Sequence, residues 1–266
     1  GGRFFNFLRL LLNSGVSPRM YIGIIILLLI ASILEILRIP RYIQFYMKSK
    51  KHDSSKIIFI IGFWRSGTTH LHNLMCQDPQ MCFVSTFRSI FPDSLVFGGL
   101  IKKAVGIIIP RKRFSDNLKL HVDLPQEEEF AILNTTGASF YKSFIFPQNM
   151  MVYFDSYILF TDYYSEVRWI QEYRSIINRI LGSQKSKCTV LKNPCNTGRI
   201  KTIINQYPDA KFIYLYRNPL DVIISSKMMF SETIKRLRFH DISEDDLGEN
   251  IIDIYSRIID RYESDK

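Results

Sequence analysis

A strand that runs directly into a glycine-bounded loop and a helix is the feature that most constrains this chain. Residues 57–63 read IIFIIGF, a continuous apolar run typical of a buried parallel strand. The run leads into Gly62-Phe-Trp-Arg-Ser-Gly-Thr-Thr69, called the phosphate loop below, and then into HLHNLM, which has helical character. This order predicts backbone N–H groups that point at a phosphate, assisted by the dipole of the following helix.

The phosphate loop differs from the loop that binds nucleoside triphosphates. The spacing from Gly62 to Gly67 and the hydroxyl of Thr69 match the pattern G-x-x-x-x-G-K-[ST]. Thr68, however, replaces the lysine that reaches the outer phosphates, and the cation is instead Arg65. No aspartate at the end of a later apolar strand is suited to hold Mg²⁺, so the loop favours a nucleotide with a shorter 5′ chain. A P-loop kinase-like phosphotransferase is nevertheless one alternative function.

A second strand and helix start form a further candidate nucleotide site. Residues 211–217 read KFIYLYR, and Asn218-Pro219 then provides a favoured helix cap and first helical residue. Arg217 ends this strand beside the helix start, a position that suits a phosphate. A simple ion pair between Arg217 and Asp221 is the alternative interpretation.

Four apolar runs with helical segments between them predict the fold. They cover residues 57–63, 81–86, 188–193 and 211–217. We therefore predict an α/β class with a P-loop-like parallel sheet flanked by helices. No repeat or linker divides residues 57–266, which we interpret as one domain, preceded by a hydrophobic, basic and helical N-terminal segment of residues 1–56.

The N-terminal segment is predicted to associate with a membrane. Residues 20–39 are almost all apolar and just long enough to span a bilayer, although Glu35 lies near one end. A spanning helix, an interfacial anchor and an ordinary buried helix remain open interpretations. Residues 1–19 hold three Lys or Arg and residues 38–56 hold six. This bias predicts that the domain lies on the cytoplasmic side of the membrane.

The distribution of charge supports the same partner. Residues 1–56 carry nine Lys or Arg against two acids, which is +7 of the net charge of +10. A nucleic-acid binder is expected to have a basic stripe through its folded domain. We therefore expect residues 1–50 to contact an anionic membrane surface, and we expect no nucleic-acid partner.

Taken together, the motifs resemble those of the sulfotransferase family, in its bacterial type. The resemblance rests on GFWRSGTT, on FIYLYRNPLDVIIS, on PQEEEFA at 125–131 and on LKNP at 191–194. It implies a P-loop-like α/β fold and the donor 3′-phosphoadenosine 5′-phosphosulfate (PAPS). It also implies that part of the domain follows Lys266, so residues 57–266 are expected to lack its C-terminal part.

The resemblance assigns roles in the donor site. The 5′-phosphosulfate is expected to contact Arg65, Ser66, Gly67, Thr68 and Thr69. Arg217 and Ser225, which have the family's spacing of eight residues, are expected to bind the 3′-phosphate. The family often has a histidine where this chain has Asn196, so no catalytic role is carried over to that position.

Sulfuryl transfer needs in-line geometry, charge stabilisation and a base for the acceptor hydroxyl. It requires no metal, and four cysteines without C-x-x-C spacing or a histidine cluster predict no zinc site. Lys192, at the end of the strand CTVLK, is positioned to act on the moving group, unless it is a solvent-facing lysine at a strand end.

Glu127 is the favoured base. Pro125 suits a helix start, and Glu127 shares the side of Phe130 and Leu133, so it is expected to face a pocket. The neighbouring acids, Glu128 and Glu129, are expected to turn outward, although helical geometry alone leaves Glu129 open. Three histidines are rival candidates: His70 and His72 after the phosphate loop, and more weakly His121.

The sequence therefore predicts a sulfotransferase that moves a sulfuryl group from PAPS to a hydroxyl of a lipophilic acceptor. The aromatic-rich stretch from Phe140 to Phe160 either lines the acceptor site or packs in the core. The second alternative function is a non-catalytic, membrane-associated nucleotide-binding scaffold.

Overall fold

Four parallel strands form the sheet that carries the site. The computed structural model describes residues 56–92, 98–113, 118–181 and 188–266, with residues 4, 8, 9, 11, 12, 21, 23–26, 28, 29, 31 and 32. The strands are β1 Ile57–Ile61, β2 Met81–Cys82, β3 Cys188–Lys192 and β4 Lys211–Tyr214. Their order is β2-β3-β1-β4, with every pairing parallel. The four predicted strands are confirmed, and each ends before its apolar run does.

Helices flank this sheet, as the alternating pattern predicted. In chain order they are α1 Thr68–Met75, α2 Thr86–Ile90, α3 Gly98–Ile108, α4 Glu129–Thr135, α5 Met150–Phe154, α6 Tyr163–Leu181, α7 Ile200–Gln206, α8 Pro219–Leu237 and α9 Glu244–Asp265. Short 3₁₀ helices cover Phe140–Phe144, Pro147–Asn149 and Pro194–Gly198, and a π-helix covers Asp155–Leu159.

The pleat of the central strands assigns their side chains to two faces. Ile57, Phe59 and Ile61 of β1 join a core cluster with α6 and α7. The alternate residue Ile60 is also fully buried and pairs in register with Lys192 of β3. Because side chains alternate along a strand, Ile60 and Lys192 lie on the opposite face, the one that α1 covers. Lys192 therefore points beneath the phosphate loop.

A second core cluster, called the aromatic cluster below, is rich in aromatic side chains. Phe140, Phe146 and Phe154 are completely buried in it. Trp64 of the phosphate loop packs against Phe140 and against Phe230 of α8, with ring centroids 5.5 and 5.4 Å apart. These residues of the aromatic-rich stretch thus pack in the core, and through Trp64 they hold the phosphate loop in position.

The described residues before residue 33 are helical, and part of them packs on the aromatic cluster. Leu11 and Ile24 are buried there, whereas Ile25 and Leu29 are more than half exposed. Most of the stretch at residues 20–39 lies outside the described residues, as do residues 33–55. Within the part of the chain that is described, no helix has both the length and the apolarity needed to cross a bilayer.

Candidate functional site

Two glycines in unusual backbone conformations shape the phosphate loop. Gly62 has a φ of +140° and Gly67 a φ of +99°. A side chain at Gly62 would overlap the carbonyl oxygen of Leu215, so this position accepts only glycine without a rearrangement. The Gly62 N–H donates to the hydroxyl of Thr197 at 2.8 Å, which ties the loop to the 3₁₀ helix after β3.

The loop ends at the N-terminus of α1, where backbone N–H groups are available. Gly67 is the capping residue, and no side chain caps the helix. The N–H groups of Thr68 and Thr69 lie in the first turn, where a helix provides no acceptors of its own. The Ser66 hydroxyl instead donates to the Phe63 carbonyl at 2.7 Å and braces the turn. Together with the helix dipole, this arrangement suits an anion.

Two arginines supply positive charge on the α8 side of the loop. Arg65, with a left-handed φ of 69°, donates from Nε to the Ser225 hydroxyl at 2.9 Å. The structure thus joins one predicted phosphosulfate residue directly to one predicted 3′-phosphate residue. Arg217 lies just after β4, and its exposed side chain is 3.5 Å from the Asp221 carboxylate. The ion pair considered from the sequence is therefore present, and it leaves the guanidinium accessible.

Lys192 and Glu127 form a buried ion pair beside the loop. The Lys192 ammonium donates to Glu127 Oε1 and also to the Thr69 hydroxyl, the latter at 3.2 Å. The Tyr141 hydroxyl donates to the other carboxylate oxygen, and Trp64 Nε1 donates to the Tyr141 oxygen at 3.2 Å. The candidate base and the candidate cation are thus in direct contact, and both are linked to the phosphate loop.

Burial controls the electrostatics of this group. It lowers the pKa of Lys192, while the attraction of Glu127 opposes that shift. Burial raises the pKa of Tyr141 well above its ordinary value, and the negative charge of Glu127 adds to the effect. Tyr141 therefore stays a neutral hydrogen-bond donor. Lys192 is 1% exposed, so it is not a solvent-facing lysine at a strand end.

The structure corrects the expected positions of Glu128 and Glu129, which we predicted to turn outward. Both side chains are completely buried. The expectation was wrong because the helix begins at Glu129 and not at Pro125. Pro125 instead forms an antiparallel bridge with Ser85, so the preceding residues do not follow helical spacing. Glu127 is buried too, and that it faces a pocket stays a prediction.

Glu129 is held by a second buried ion pair. Its carboxylate accepts two hydrogen bonds from Arg199, at 2.7 and 3.1 Å. Asn193 and Ser139 each donate to it at 2.7 Å. Burial alone raises the pKa of Glu129, but Arg199 outweighs it and holds the pKa below its ordinary value. This pair fixes α4 to the loop that follows β3.

Glu128 has polar hydrogen-bond partners but forms no ion pair within the described residues. Tyr173 and Asn196 donate to its Oε1 at 3.0 and 2.8 Å. Within the described residues its Oε2 has no hydrogen-bond partner. Burial raises the pKa of Glu128 to about 7, and the nearby charge of Glu129 adds to the rise. Asn196 therefore serves to hold a buried carboxyl group.

The three histidines occupy different environments. His72 lies on the buried side of α1, and burial together with the charge of Lys192 lowers its pKa to about 3. His70 is exposed on the same helix. His121 is exposed and lies 3.8 Å from Asp123. A catalytic role for His70, His72 or Glu127 stays a prediction; of the three, Glu127 is the one in direct contact with Lys192.

The sequence analysis missed several residues of the site. Tyr141 and Trp64 complete the shell around Glu127, and Tyr173 and Arg199 hold the two neighbouring acids. One signal was available in the acidic triplet itself. Three consecutive carboxylates directly before an apolar run need hydrogen-bond donors or cations wherever they are buried. Among the described residues, no group of three or more His, Cys, Asp or Glu is placed to hold a metal ion.

Comparisons with known proteins agree with this geometry. A family model described as "Sulfotransferase family" matches residues 58–266. The chain is 26% identical over 204 residues to omega-hydroxy-beta-dihydromenaquinone-9 sulfotransferase Stf3 of Mycobacterium bovis, and equally to the protein of that name from Mycobacterium tuberculosis. The alignment covers 74% of this chain and 51% of the relative. The chain thus spans about half the length of the curated relatives it matches.

Two solved structures share the fold. Sulfotransferase STF1 from Mycobacterium tuberculosis superimposes with a TM-score of 0.66 at 18% identity, covering 98% of this chain and 73% of that one. Sulfotransferase STF9 from Mycobacterium avium gives a TM-score of 0.60 at 14% identity, covering 81% and 55%. At these identities the likeness shows a common architecture of sheet and helices.

Proposed function

The chain belongs to the sulfotransferase family, and from this premise we propose that it moves a sulfuryl group from PAPS to a hydroxyl of a lipophilic acceptor. The strongest support for the proposal is a set of hydrogen bonds beside the phosphate loop. The phosphate loop, a buried lysine and a buried carboxylate are joined in one hydrogen-bonded chain from Thr69 through Lys192 to Glu127. An anion site, a cation for the moving group and a proton acceptor therefore lie together.

The described residues fit the donor. The first-turn N–H groups of Thr68 and Thr69 suit its 5′-phosphosulfate, because they are directed at the loop and have no intrahelical acceptor. Arg65 adds a charge-assisted donor there, and its bond to Ser225 fixes the direction of its side chain. Arg217 is exposed at the start of α8 and is assigned to the 3′-phosphate.

Lys192 and Glu127 divide the chemistry between them. When bound, PAPS supplies an activated sulfuryl group with a good leaving group. The Lys192 ammonium has three N–H donors, so it can keep Glu127 and Thr69 as partners and still stabilise charge on that group. Glu127 Oε1 or Oε2 accepts the proton of the acceptor hydroxyl, while Tyr141 holds the carboxylate in place. No metal is required in this scheme.

The acceptor class is inferred from two features. The relatives described above are named for a hydroxylated menaquinone derivative, a lipophilic alcohol. The chain also carries a hydrophobic, basic N-terminal segment, which we propose contacts a membrane surface through residues 1–50 and leaves the domain on the cytoplasmic side. A lipophilic acceptor is most concentrated in a membrane, so the two features support each other.

Transfer of labelled sulfate tests the proposal directly. The purified protein is incubated with sulfur-labelled PAPS and a lipid extract, in EDTA, and lipids are analysed by mass spectrometry for a sulfate adduct. We expect a labelled adduct that disappears in the Lys192→Met variant. Transfer of phosphate from Mg²⁺-ATP to the same extract would indicate the kinase-like alternative. Binding of adenosine 3′,5′-bisphosphate without any adduct from several extracts would indicate the scaffold.

A further inference from the structure

An exposed apolar face on α3 has no part in the candidate site or in the proposed function. Leu100, Ala104, Ile107 and Ile108 are exposed, and their spacing of four, seven and eight residues places them on one side of the helix. The exposed fractions are 71% for Leu100, 86% for Ile107 and 80% for Ile108. Three large aliphatic side chains in water on one helix face are unfavourable unless something covers them.

Exposed cations lie on this helix and on the segment that directly follows it. Lys103 is exposed on the same helix, and Arg111, Lys112 and Lys119 are exposed on the segment that follows it. Lys112 and Lys119 pair in an antiparallel bridge, supported by a bond from the Leu120 N–H to the Arg111 carbonyl at 2.9 Å. The acid Asp123 is already paired with Lys102. We call these residues (Leu100, Lys103, Ala104, Ile107, Ile108, Arg111, Lys112 and Lys119) the basic apolar surface.

We propose that the basic apolar surface docks on an anionic lipid bilayer. Aliphatic side chains and cations together indicate a bilayer, because the exposed aliphatic side chains suit its acyl region and the cations suit anionic headgroups. Nucleic acid would use the cations but not the aliphatic face. This contact is separate from the one proposed for residues 1–50, because it belongs to the folded domain.

The surface is continuous with the segment that leads to Glu127. A Cβ atom at Gly106 of α3 would lie 3.9 Å from the Val122 side chain, and the Val122 carbonyl accepts from the Phe87 N–H at 2.9 Å. Two residues before Glu127, Pro125 is bridged to Ser85. Docking here therefore holds the bilayer on the side of the domain from which this segment enters the site. That a lipophilic acceptor arrives by this route rests on the proposed function, whereas the docking itself does not.

Tryptophan placed on the surface tests the contact in the full chain. Ile107→Trp is mixed with vesicles of phosphatidylcholine and phosphatidylglycerol that contain brominated lipid, and quenching is measured. Ile252→Trp on α9 is the matched control, since Ile252 is also exposed, at 55%. Trp64 and Trp169 are buried, so wild-type protein gives the background. We expect strong quenching for Ile107→Trp and little for Ile252→Trp, whatever residues 1–50 contribute.

Vesicle partition coefficients then separate the contribution of the aliphatic side chains from that of the cations. Replacing both Ile107 and Ile108 with Ser should lower the vesicle partition coefficient about tenfold or more, because two buried aliphatic side chains are lost. Lys112→Ser should lower it about fivefold on anionic vesicles and not on neutral ones.

Three results would overturn the docking proposal. One is quenching of Ile107→Trp no greater than that of the Ile252→Trp control. Another is equal partition of the Ile107→Ser/Ile108→Ser variant and the wild type. The third is a dimer in lipid-free solution that this variant dissociates, because a second copy would then cover the face. Each readout is independent of sulfuryl transfer, so vesicle binding without enzyme activity would count against the proposed function only.

Discussion

Replacing Glu128 with glutamine removes a buried carboxyl that forms no ion pair with any described residue. Glu128 is completely enclosed, and its Oε1 accepts from Tyr173 and Asn196. Glutamine keeps the length and the accepting oxygen, so both hydrogen bonds are retained. Glutamine, however, does not titrate, whereas burial raises the pKa of Glu128 from 4.5 to about 7. The folded protein therefore holds a proton that the unfolded chain releases.

The sign and the size of the effect follow from this difference. Stability from the protonated Glu128 is complete below pH 4.5 and is lost as the pH rises through about 7. Between pH 5 and pH 8 the wild type should lose about 2.5 kcal/mol of unfolding free energy through this group alone. Glu128→Gln has no such loss, so its stability relative to the wild type should rise by that amount over the same range.

Urea unfolding of both proteins at pH 5 and pH 8 provides the measurement, and comparing them at each pH cancels other titrating groups. Glu129→Gln is the matched control, because Glu129 pairs with Arg199 and its pKa is held low. It should lose roughly 3–5 kcal/mol at both pH values, since a buried arginine is left without its partner. A stability difference between Glu128→Gln and wild type that does not change with pH would show that Glu128 does not hold a proton in the folded protein between pH 5 and pH 7.

Three further substitutions have defined outcomes. Tyr141→Phe should lower the unfolding free energy by about 1–3 kcal/mol in urea titration, because Trp64 Nε1 loses its acceptor, and should slow turnover without changing donor affinity. Arg217→Ala should weaken binding of adenosine 3′,5′-bisphosphate about tenfold in calorimetry and leave binding of adenosine 5′-phosphate unchanged. Gly62→Ala should lower the melting temperature, because a side chain there meets the Leu215 carbonyl, whereas unaltered melting would contradict the loop geometry.

The sheet was predictable because its information is local. A parallel strand buried on both faces is usually a mainly apolar run, and β1 and β3 each coincide with one. The edge strand β4 is only partly buried, but its residues after Lys211 are apolar or aromatic as well. The phosphate loop was predictable for a similar reason. Gly62 and Gly67, which adopt its positive φ angles, both lie within its eight residues. Strand ends were overestimated because apolar residues continue into the loops.

The interior of the site was not predictable in the same way. The assignment of Glu128 and Glu129 depended on where a helix begins, and a bridge between Pro125 and Ser85, 40 positions apart in the chain, delays that start. The partner of Glu129 is 70 residues away. Residue spacing within one helix or strand gives no information on contacts between distant segments. The partners of Glu128 and Glu129 are therefore seen only in the folded structure.

The role proposed for Glu127 is to accept the proton of the acceptor hydroxyl beside a donor held by the phosphate loop. Its most direct test compares Glu127→Gln with wild type for two quantities, the single-turnover rate of sulfuryl transfer and the affinity for adenosine 3′,5′-bisphosphate. We expect a rate lower by roughly 10²–10⁴-fold with nearly unchanged affinity, because the donor's phosphates are bound by the loop and by Arg217. A rate equal to that of the wild type, with His70→Asn or His72→Asn inactive instead, would contradict it and place the base on α1.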